Sequence, residues 1–159
     1  MRVPTRTVPP RTTYGEARRR DLPQLVALLG VLFGQEAEFA PDPARQRRAL
    51  RMLLADPALG RVYVARRGAR VLGTVCVLRS VSTAEGGPAG LLEDLVVRPD
   101  ARGAGIGDAL LAFAVERARA GGLLRLTLLT DRGNRRAQRL YRKAGFKSSP
   151  MMPMRLKLR

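Results

Sequence analysis

A glycine-rich turn between a strand-like segment and a helix-like segment constrains the fold of this chain more than any other feature. The apolar residues at 95–97 are followed by Gly103, Gly105 and Gly107, after which apolar residues recur at helical spacing to Ala120. Glycine adopts backbone conformations closed to other residues and lets a ligand approach the amides closely. Free N–H groups and the dipole at a helix start favour a phosphate or pyrophosphate. The sequence therefore predicts a strand, an anion-binding turn and a helix in an α/β fold.

The same glycines must be compared with other phosphate-binding motifs. A P-loop needs Gly-Lys followed by Ser or Thr, whereas Asp108 follows Gly107 here, so a P-loop is excluded. A dinucleotide fingerprint needs G-x-G-x-x-G with an acidic residue about 20 positions later. Here the spacing is G-x-G-x-G, and Asp131 comes late. A dinucleotide site and a purely structural turn stay open as alternatives at this point.

Periodicity and turn residues predict the remaining elements of one domain. We expect strands at 13–17, 61–65, 71–81, 91–97 and 123–130, and a returning edge strand at 151–158. The nearly uninterrupted apolar character of 123–130 predicts a strand covered on both faces. We expect helices after the capping residue Asp21, after Pro43, and at 105–120 and 134–144. Residues 1–12 contain three prolines and are predicted to form a flexible basic arm before a domain at 13–159.

Composition excludes whole classes of chemistry. The chain has no histidine and one cysteine, Cys76, which excludes a histidine triad, a zinc finger and a histidine-ligated metal site. We therefore expect no metal, and any acid or base must be Asp, Glu, Tyr or Lys. Cys76 lies among apolar residues and is predicted to be a core residue. The longest apolar run, residues 25–33, is about half of a membrane span, so we expect a cytoplasmic protein without a membrane partner.

The charge of the chain allows two interpretations. The formal net charge is +17, and arginine supplies 27 of the 30 basic residues. Basic residues that neutralise phosphates supply most non-specific affinity for nucleic acids. Codon bias that enriches Arg, Ala, Gly and Pro explains the same composition. Nucleic acid is therefore kept as an alternative partner, especially for residues 132–147, which carry seven basic and no acidic side chains.

Three sequence blocks together resemble a known enzyme family. They are Leu-Glu-Asp-Leu-Val-Val-Arg-Pro at 92–99, the R-x-x-G-x-G core at 102–107, and the block at 134–146 that contains Ala-Gln-Arg-Leu-Tyr and Lys-Ala-Gly-Phe. In this order and spacing they resemble the GCN5-related N-acetyltransferases, or GNAT enzymes, over about residues 13–158. The resemblance implies an α/β domain with a mixed sheet of about seven strands and about four helices. It also implies that the fourth and fifth strands splay apart, with acetyl-CoA in the gap as cosubstrate.

The resemblance also implies which residues bind the cofactor. The pyrophosphate would be held by the backbone amides of Arg102, Gly103, Ala104, Gly105, Ile106 and Gly107. A side chain at Gly105 or Gly107 would intrude on the phosphate or on the packing of the helix. The main chain of Leu95, Val96 and Val97 would bind pantetheine, and the Leu95 N–H would stabilise the oxyanion. Asn134 would contact the cofactor arm, although it is equally suited to cap the last helix.

The resemblance implies that Tyr141 protonates the departing CoA thiolate, although an ordinary core tyrosine fits the same spacing. Without histidine, a carboxylate is the natural base for the substrate ammonium, and Glu93 is our choice. Strand alternation puts Asp94 on the opposite side of the sheet from Glu93 unless a bulge changes the register. Because Cys76 is expected in the core, the acetyl group would move directly to the amine without an acyl-enzyme.

The acceptor is predicted from the few acidic residues. Glu36, Glu85 and Glu93 fall in segments that border the acceptor site of the family, which favours a primary amine of a small molecule. An N-terminal or lysine acceptor on a protein is the alternative within enzymes. A non-catalytic basic module that binds nucleic acid is the alternative from another class. A homodimer is left open.

Overall fold

The sheet is an antiparallel run of four strands that a fifth, parallel strand extends. The computed structural model describes residues 11–36 and 38–158, so the first ten residues of the predicted basic arm lie outside the described residues. The strands are β1 (Thr13–Glu16), β2 (Gly60–Arg67), β3 (Arg70–Ser82), β4 (Gly87–Val97) and β5 (Leu126–Leu128), in that order across the sheet. The helices are α1 (Leu22–Phe33), α2 (Pro43–Ala55), α3 (Ile106–Ala120) and α4 (Arg135–Lys143).

Contacts divide the chain into two compact units, one running to Leu129 and the other beginning at Thr130. The first unit holds the whole sheet and helices α1 to α3, and the second holds α4 and the segment after it. Over the described residues, neither unit has a helix with the length and apolar character needed to cross a membrane.

Neighbouring residues of β2 show how helices cover the two faces of the sheet in the first unit. Val62 belongs to an apolar cluster with residues of α1 and α2, whereas the ring of Tyr63 lies 5.5 Å from that of Phe113 in α3. Because successive strand residues point to opposite faces, α1 and α2 cover one face and α3 covers the other. The first cluster also contains Leu25, Leu28, Leu50, Val64, Val71, Cys76 and Val96. Cys76 is 1% exposed, which confirms its prediction as a core residue.

The start of α1 differs from the predicted cap. Asp21 precedes the helix, but its carboxylate makes no capping hydrogen bond. It accepts instead from the Arg18 N–H at 2.7 Å and from Nη2 of Arg66 at 2.9 Å. The Asp21 side chain is 2% exposed and that of Arg66 is 14% exposed. A buried ion pair is costly to break from one side, so this one fixes the start of α1 against β2.

The strand predicted at 123–130 is only three residues long, and none of its residues is buried. Leu124 and Leu129, outside its ends, are 57% and 47% exposed. The prediction of a strand covered on both faces is wrong, because none of Leu126–Leu128 is buried; β5 is also an edge strand, with β4 as its single strand partner among the described residues. An apolar run indicates a buried strand only where both faces are packed.

The sheet has five strands in the described residues, not about seven. Residues 151–158, expected as an edge strand, form no strand there, and their Met and Leu side chains are exposed. Pro150 and Pro153 donate no N–H to a ladder, which limits strand pairing in this segment.

Strand β4 extends well beyond its pairing with β5. The ladder joins Gly90–Leu92 to Leu126–Leu128, and residues 93–97 of β4 continue past it while β3 pairs on their other side. Among the described residues, that edge of β4 after Leu92 therefore has no strand partner. This is the part of the sheet in which the resemblance places the gap between the fourth and fifth strands.

Candidate active site

Hydrogen bonds from neighbouring residues shape the glycine turn after β4. The Arg98 N–H donates to Leu72 O at 2.8 Å, and a short 3₁₀ turn follows at Pro99–Ala101. The Arg102 Nε then donates back to Val97 O at 3.1 Å. Gly103 and Gly105 have φ angles of 83° and 73°, in the left-handed region that favours glycine. The chain thus reverses through two left-handed glycines immediately before α3.

The first turn of α3 has the amides of an anion site. The first helical bond that follows the turn runs from the Ala109 N–H to Gly105 O at 3.1 Å. The N–H groups of Ile106, Gly107 and Asp108 therefore have no acceptor within the helix, as at every helix start. Together with the positive end of the helix dipole, they can receive a phosphate oxygen.

Neither glycine of the expected pair is required by helix packing. A Cβ added at Gly105 would meet no atom within 4 Å, and one at Gly107 would lie 3.6 Å from Cγ2 of Val97, an ordinary contact. The expectation that a side chain at these positions disturbs the packing of the helix is therefore wrong. The positive φ explains Gly105, whereas for Gly107 the close approach of a phosphate stays a prediction.

Asp100 holds the outer side of the turn. Its carboxylate pairs with Arg70 at the start of β3 and with Nε of Arg98 at 3.3 Å. The hydrogen bond from Arg70 is the main cause that lowers the pKa of Asp100 below its usual value. Asp100 is exposed, so the pair positions the turn more than it stabilises the fold.

A β-bulge interrupts β4 just before the turn. Thr74 pairs with Val96 and Cys76 pairs with Glu93, so Asp94 and Leu95 together face a single residue of β3. Asp94 has a φ of 56°, and it is the one non-glycine residue with positive φ in the described part of the chain. A bulge leaves backbone groups outside the ladder. The candidate oxyanion donor, the Leu95 N–H, lies in this bulge.

The bulge changes the predicted orientation of the two acidic residues. Glu93 lies opposite Cys76 in the ladder, and Cys76 also hydrogen-bonds the Asp94 carboxylate. Directly paired strand residues share a face. Glu93 and Asp94 therefore both lie on the side of the sheet that carries Cys76, α1 and α2. Strand alternation alone would have separated them, and the positive φ of Asp94 was not readable from the sequence.

Burial and neighbouring charges raise two pKa values at this place. Burial, followed by the negative charge of Glu93 and then that of Glu36, raises the pKa of Asp94 to about 6, although the hydrogen bond from Cys76 opposes the shift. Burial raises the pKa of the Cys76 thiol well above its usual value, and Asp94 adds to the shift. Glu93 itself is exposed. The site thus combines one accessible carboxylate with one that holds a proton more tightly.

The structure does not bring Glu85 to these carboxylates. Glu85 lies in the turn between β3 and β4 and pairs with Arg125 at 3.3 Å. Glu93 lies six residues after Gly87 in β4, which is about 20 Å at the rise of a β-strand. Glu36, by contrast, acts electrostatically on Asp94.

The second unit carries the remaining predicted residues. The Oδ1 of Asn134 accepts from the Ala137 N–H at 3.0 Å, so Asn134 caps α4. Tyr141 is half-buried, and its ring lies 6.0 Å from that of Phe146 in an edge-to-face arrangement. The seven basic residues at 132–147 are exposed.

Comparisons with known proteins agree with this geometry. Residues 24–146 match the acetyltransferase (GNAT) family. An integron cassette protein from the mobile metagenome of Cole Harbour Salt Marsh is 32% identical, with a TM-score of 0.79 over 92% of this chain and 90% of that chain. A transcriptional regulator from Bacillus halodurans C-125 is 26% identical, with a TM-score of 0.78 over 93% of this chain and 100% of that chain. A protein from Clostridium acetobutylicum, described as a predicted acetyltransferase with acetyl-CoA, is 20% identical, with a TM-score of 0.73 over 93% and 97%. Comparison with curated proteins found no match.

The fold, the bulged strand and the glycine turn define an α/β acyltransferase of the kind that the sequence blocks resemble. The chain belongs to the GNAT acetyltransferase family.

Proposed function

We propose that this protein transfers an acetyl group directly from acetyl-CoA to the primary amine of a small molecule. The observation that carries the proposal is the order of features along one strand. Two carboxylates on one face, a bulge and an anion-binding turn follow each other between Glu93 and Gly107. The presence of acetyl-CoA in the similar protein from Clostridium acetobutylicum supports the choice of cosubstrate.

The backbone supplies the proposed cofactor site. The amides of 102–107 would bind the pyrophosphate, and the edge of β4 at 95–97 would pair with the amides of pantetheine. This edge lies beyond the ladder with β5 and has no strand partner among the described residues, although Val97 O already accepts from Arg102 Nε. As the amine attacks the thioester carbonyl, the Leu95 N–H would stabilise the developing oxyanion.

Glu93 is the proposed base because it is exposed on the face that also carries Asp94. It would accept a proton from the substrate ammonium before attack. Asp94 is the competing base, since a pKa of about 6 suits proton transfer near neutral pH better than an ordinary carboxylate does. In the arrangement that we favour, Asp94 adds a second negative charge that attracts the ammonium.

The proposed acid is Tyr141, which would protonate the thiolate of CoA as the tetrahedral intermediate collapses. The products are then the acetylated amine and the free thiol of CoA. The proposal rests on the motif around Tyr141 and on a ring that is only half-buried, unlike a core tyrosine. A phenol and a thiol titrate within a few pH units of each other, so the transfer needs little driving force.

Direct transfer is favoured by the state of Cys76. The thiol is buried and its pKa is raised, which opposes formation of a nucleophilic thiolate. A Cys76→Ala variant that folds is expected to keep acetylating the acceptor. A folded Cys76→Ala variant without turnover would indicate an acyl-cysteine intermediate instead.

The small-amine acceptor is supported by the concentration of negative charge at Glu36, Glu93 and Asp94. A cationic amine is attracted to such a site, although the protein as a whole carries a net charge of +17. The proposed substrate contacts are Glu36 and Glu93. Glu85 would contact only an acceptor long enough to reach the far end of β4.

The deciding experiment measures CoA thiol released from acetyl-CoA over a panel of small mono- and diamines, with lysine peptides and free N-terminal peptides beside them. We expect turnover with one or more small amines and little with peptides. Turnover with peptides alone would replace the small acceptor by a protein. No release with any amine would contradict the proposed reaction.

Nucleic-acid binding is the second candidate function. It is favoured by the exposed basic side chains at 132–147 and by the name of the similar transcriptional regulator from Bacillus halodurans. A titration of DNA and RNA at several salt concentrations tests it, because phosphate contacts make the affinity fall steeply with salt. Binding that is salt-dependent in a protein without acetyl transfer would favour this function.

A further inference from the structure

A cleft lies on the α3 face of the sheet, at the C-terminal end of that helix. It has a volume of about 190 Å³, and its lining includes Glu16, Arg61, Tyr63, Val77 and Arg79 of the sheet together with Arg117 of α3. Sites for drug-sized ligands are usually larger, at about 300 to 1,000 Å³. The cleft therefore has room for a small ligand only.

Strand geometry brings two of the arginines together. Arg61 is paired with Val77 in the β2–β3 ladder, and Arg79 follows Val77 by two residues on the same face. Arg61 and Arg79 are thus diagonal neighbours across the strand pair, a relation in which the two backbones are about 7 to 8 Å apart. Helix α3 supplies the third arginine, Arg117, which hydrogen-bonds the hydroxyl of Tyr63. Tyr63 itself is 5% exposed.

Nearby negative charge neutralises the arginines of the cleft only in part. Nε of Arg61 lies 3.4 Å from Glu16. Within the described residues, no carboxylate lies within 4 Å of a guanidinium nitrogen of Arg79 or Arg117. The negative end of the α3 dipole offsets about half a charge. With Glu16 counted, the cleft keeps roughly 1.5 positive charges.

We propose that this cleft binds the phosphate group of a small molecule. Guanidinium groups match phosphate oxygens in pairs, and Arg79 and Arg117 are exposed and accessible from solvent. The site is separate from the glycine turn, because α3 has 15 residues and places its two ends about 22 Å apart. The inference does not depend on acetyl transfer.

Titration calorimetry with inorganic phosphate and with glycerol 3-phosphate tests the proposal, in chloride buffer of constant ionic strength. We expect binding at the cleft that the Arg79→Gln and Arg117→Gln variants each weaken at least tenfold. The matched control is Arg119→Gln, which removes the same charge from α3 at a residue that pairs with Glu116 and does not line the cleft. The control is expected to stay within twofold of the unaltered protein. Tighter binding of glycerol 3-phosphate than of phosphate would assign a phosphoester; the reverse would assign the free ion.

Two further measurements keep the proposal open to contradiction. Arg117→Lys keeps the charge but loses the paired geometry, so it should bind phosphate more weakly than the unaltered protein and more tightly than Arg117→Gln. The titration is repeated with saturating CoA, which we expect to leave the binding at the cleft unchanged. Absence of phosphate binding, equal weakening by Arg119→Gln, or complete displacement by CoA would each overturn the proposal.

Discussion

The two ends of α3 offer phosphate different kinds of partner. At the N-terminal end, the amides of Ile106 and Gly107 and the helix dipole form the proposed backbone site, directly after two left-handed glycines. At the C-terminal end, the dipole is unfavourable to anions, and three arginine side chains with Tyr63 form the cleft. A backbone site tolerates many changes of side chain but few changes of conformation. A side-chain site has the opposite sensitivity.

The largest expected effect concerns the proposed chemistry at β4, which precedes the N-terminal end of α3. Glu93→Gln keeps the shape of the side chain but removes the proposed base, so turnover at neutral pH should fall by about 100- to 10,000-fold. Partial recovery is expected at high pH, where more of the substrate amine is already neutral. Steady-state kinetics across a pH range measure both effects.

The matched control for this variant is Glu116→Gln, an exposed carboxylate in the C-terminal half of α3, which should leave turnover unchanged. If Glu93→Gln changes only the KM for the amine, Glu93 binds the acceptor and Asp94 becomes the base. A residual acidic limb in the Glu93→Gln profile would point the same way, and it should lie below pH 6 because the variant lacks the Glu93 charge that raises the pKa of Asp94.

The second prediction concerns the proposed acid. Tyr141→Phe keeps the ring against Phe146 and deletes the hydroxyl, so the melting temperature should change little. Turnover should fall within the same 100- to 10,000-fold range, with solvent replacing part of the lost proton transfer. Tyr14→Phe, a phenol removed from a ring that contacts Phe113, serves as the control with unchanged turnover. Undiminished turnover in folded Tyr141→Phe would leave this residue as a packing tyrosine.

The third prediction compares the two ends of α3 directly. Acetyl-CoA at about 100 times its Kd should stabilise the folded protein by about 2.7 kcal/mol. The melting temperature should rise accordingly. Gly105→Val should abolish the rise, because φ is 73° there and the turn must change conformation. Gly122→Val meets the same backbone penalty at φ 75° with no atom within 4 Å, and it should keep the rise. If the folded Gly105→Val variant keeps the same rise as Gly122→Val, the cofactor does not bind at the N-terminal turn.

The smallest expected effect is on stability near the bulge. The folded-state pKa of Asp94 is raised to about 6, so the folded protein holds this proton more tightly than the unfolded chain does. The contribution of Asp94 to the free energy of unfolding is therefore fully present below about pH 4, and it is lost as the pH rises through 6. Asp94→Asn should therefore gain roughly 2 to 3 kcal/mol relative to the unaltered protein at pH 7.5, and little at pH 4. Urea unfolding at both pH values measures the difference, and a gain that does not depend on pH would contradict it.

Local pattern was sufficient for the elements around the turn. The helices predicted at 105–120 and 134–144 agree within a residue or two with α3 and α4, and the hairpin at 61–81 is confirmed. The segment at 123–130 shows where pattern fails. Its leucines fit a buried strand, but burial depends on what covers the segment, and β5 lies at an edge. The bulge could not be predicted either, because a positive φ at an aspartate has no sequence signal as strong as a glycine provides.

By itself, the sequence determined the site built from backbone. Gly103 and Gly105 encode the left-handed conformation locally, so the turn that carries the proposed anion site could be predicted from a few consecutive residues. Only the tertiary structure decided that Glu93 and Asp94 share a face, since a one-residue bulge reverses the side on which a strand residue points. It also decided that Arg61, Arg79 and Arg117 meet. These residues lie on two strands and a helix, and their approach depends on ladder register and helix packing, which no local pattern of an arginine-rich chain specifies.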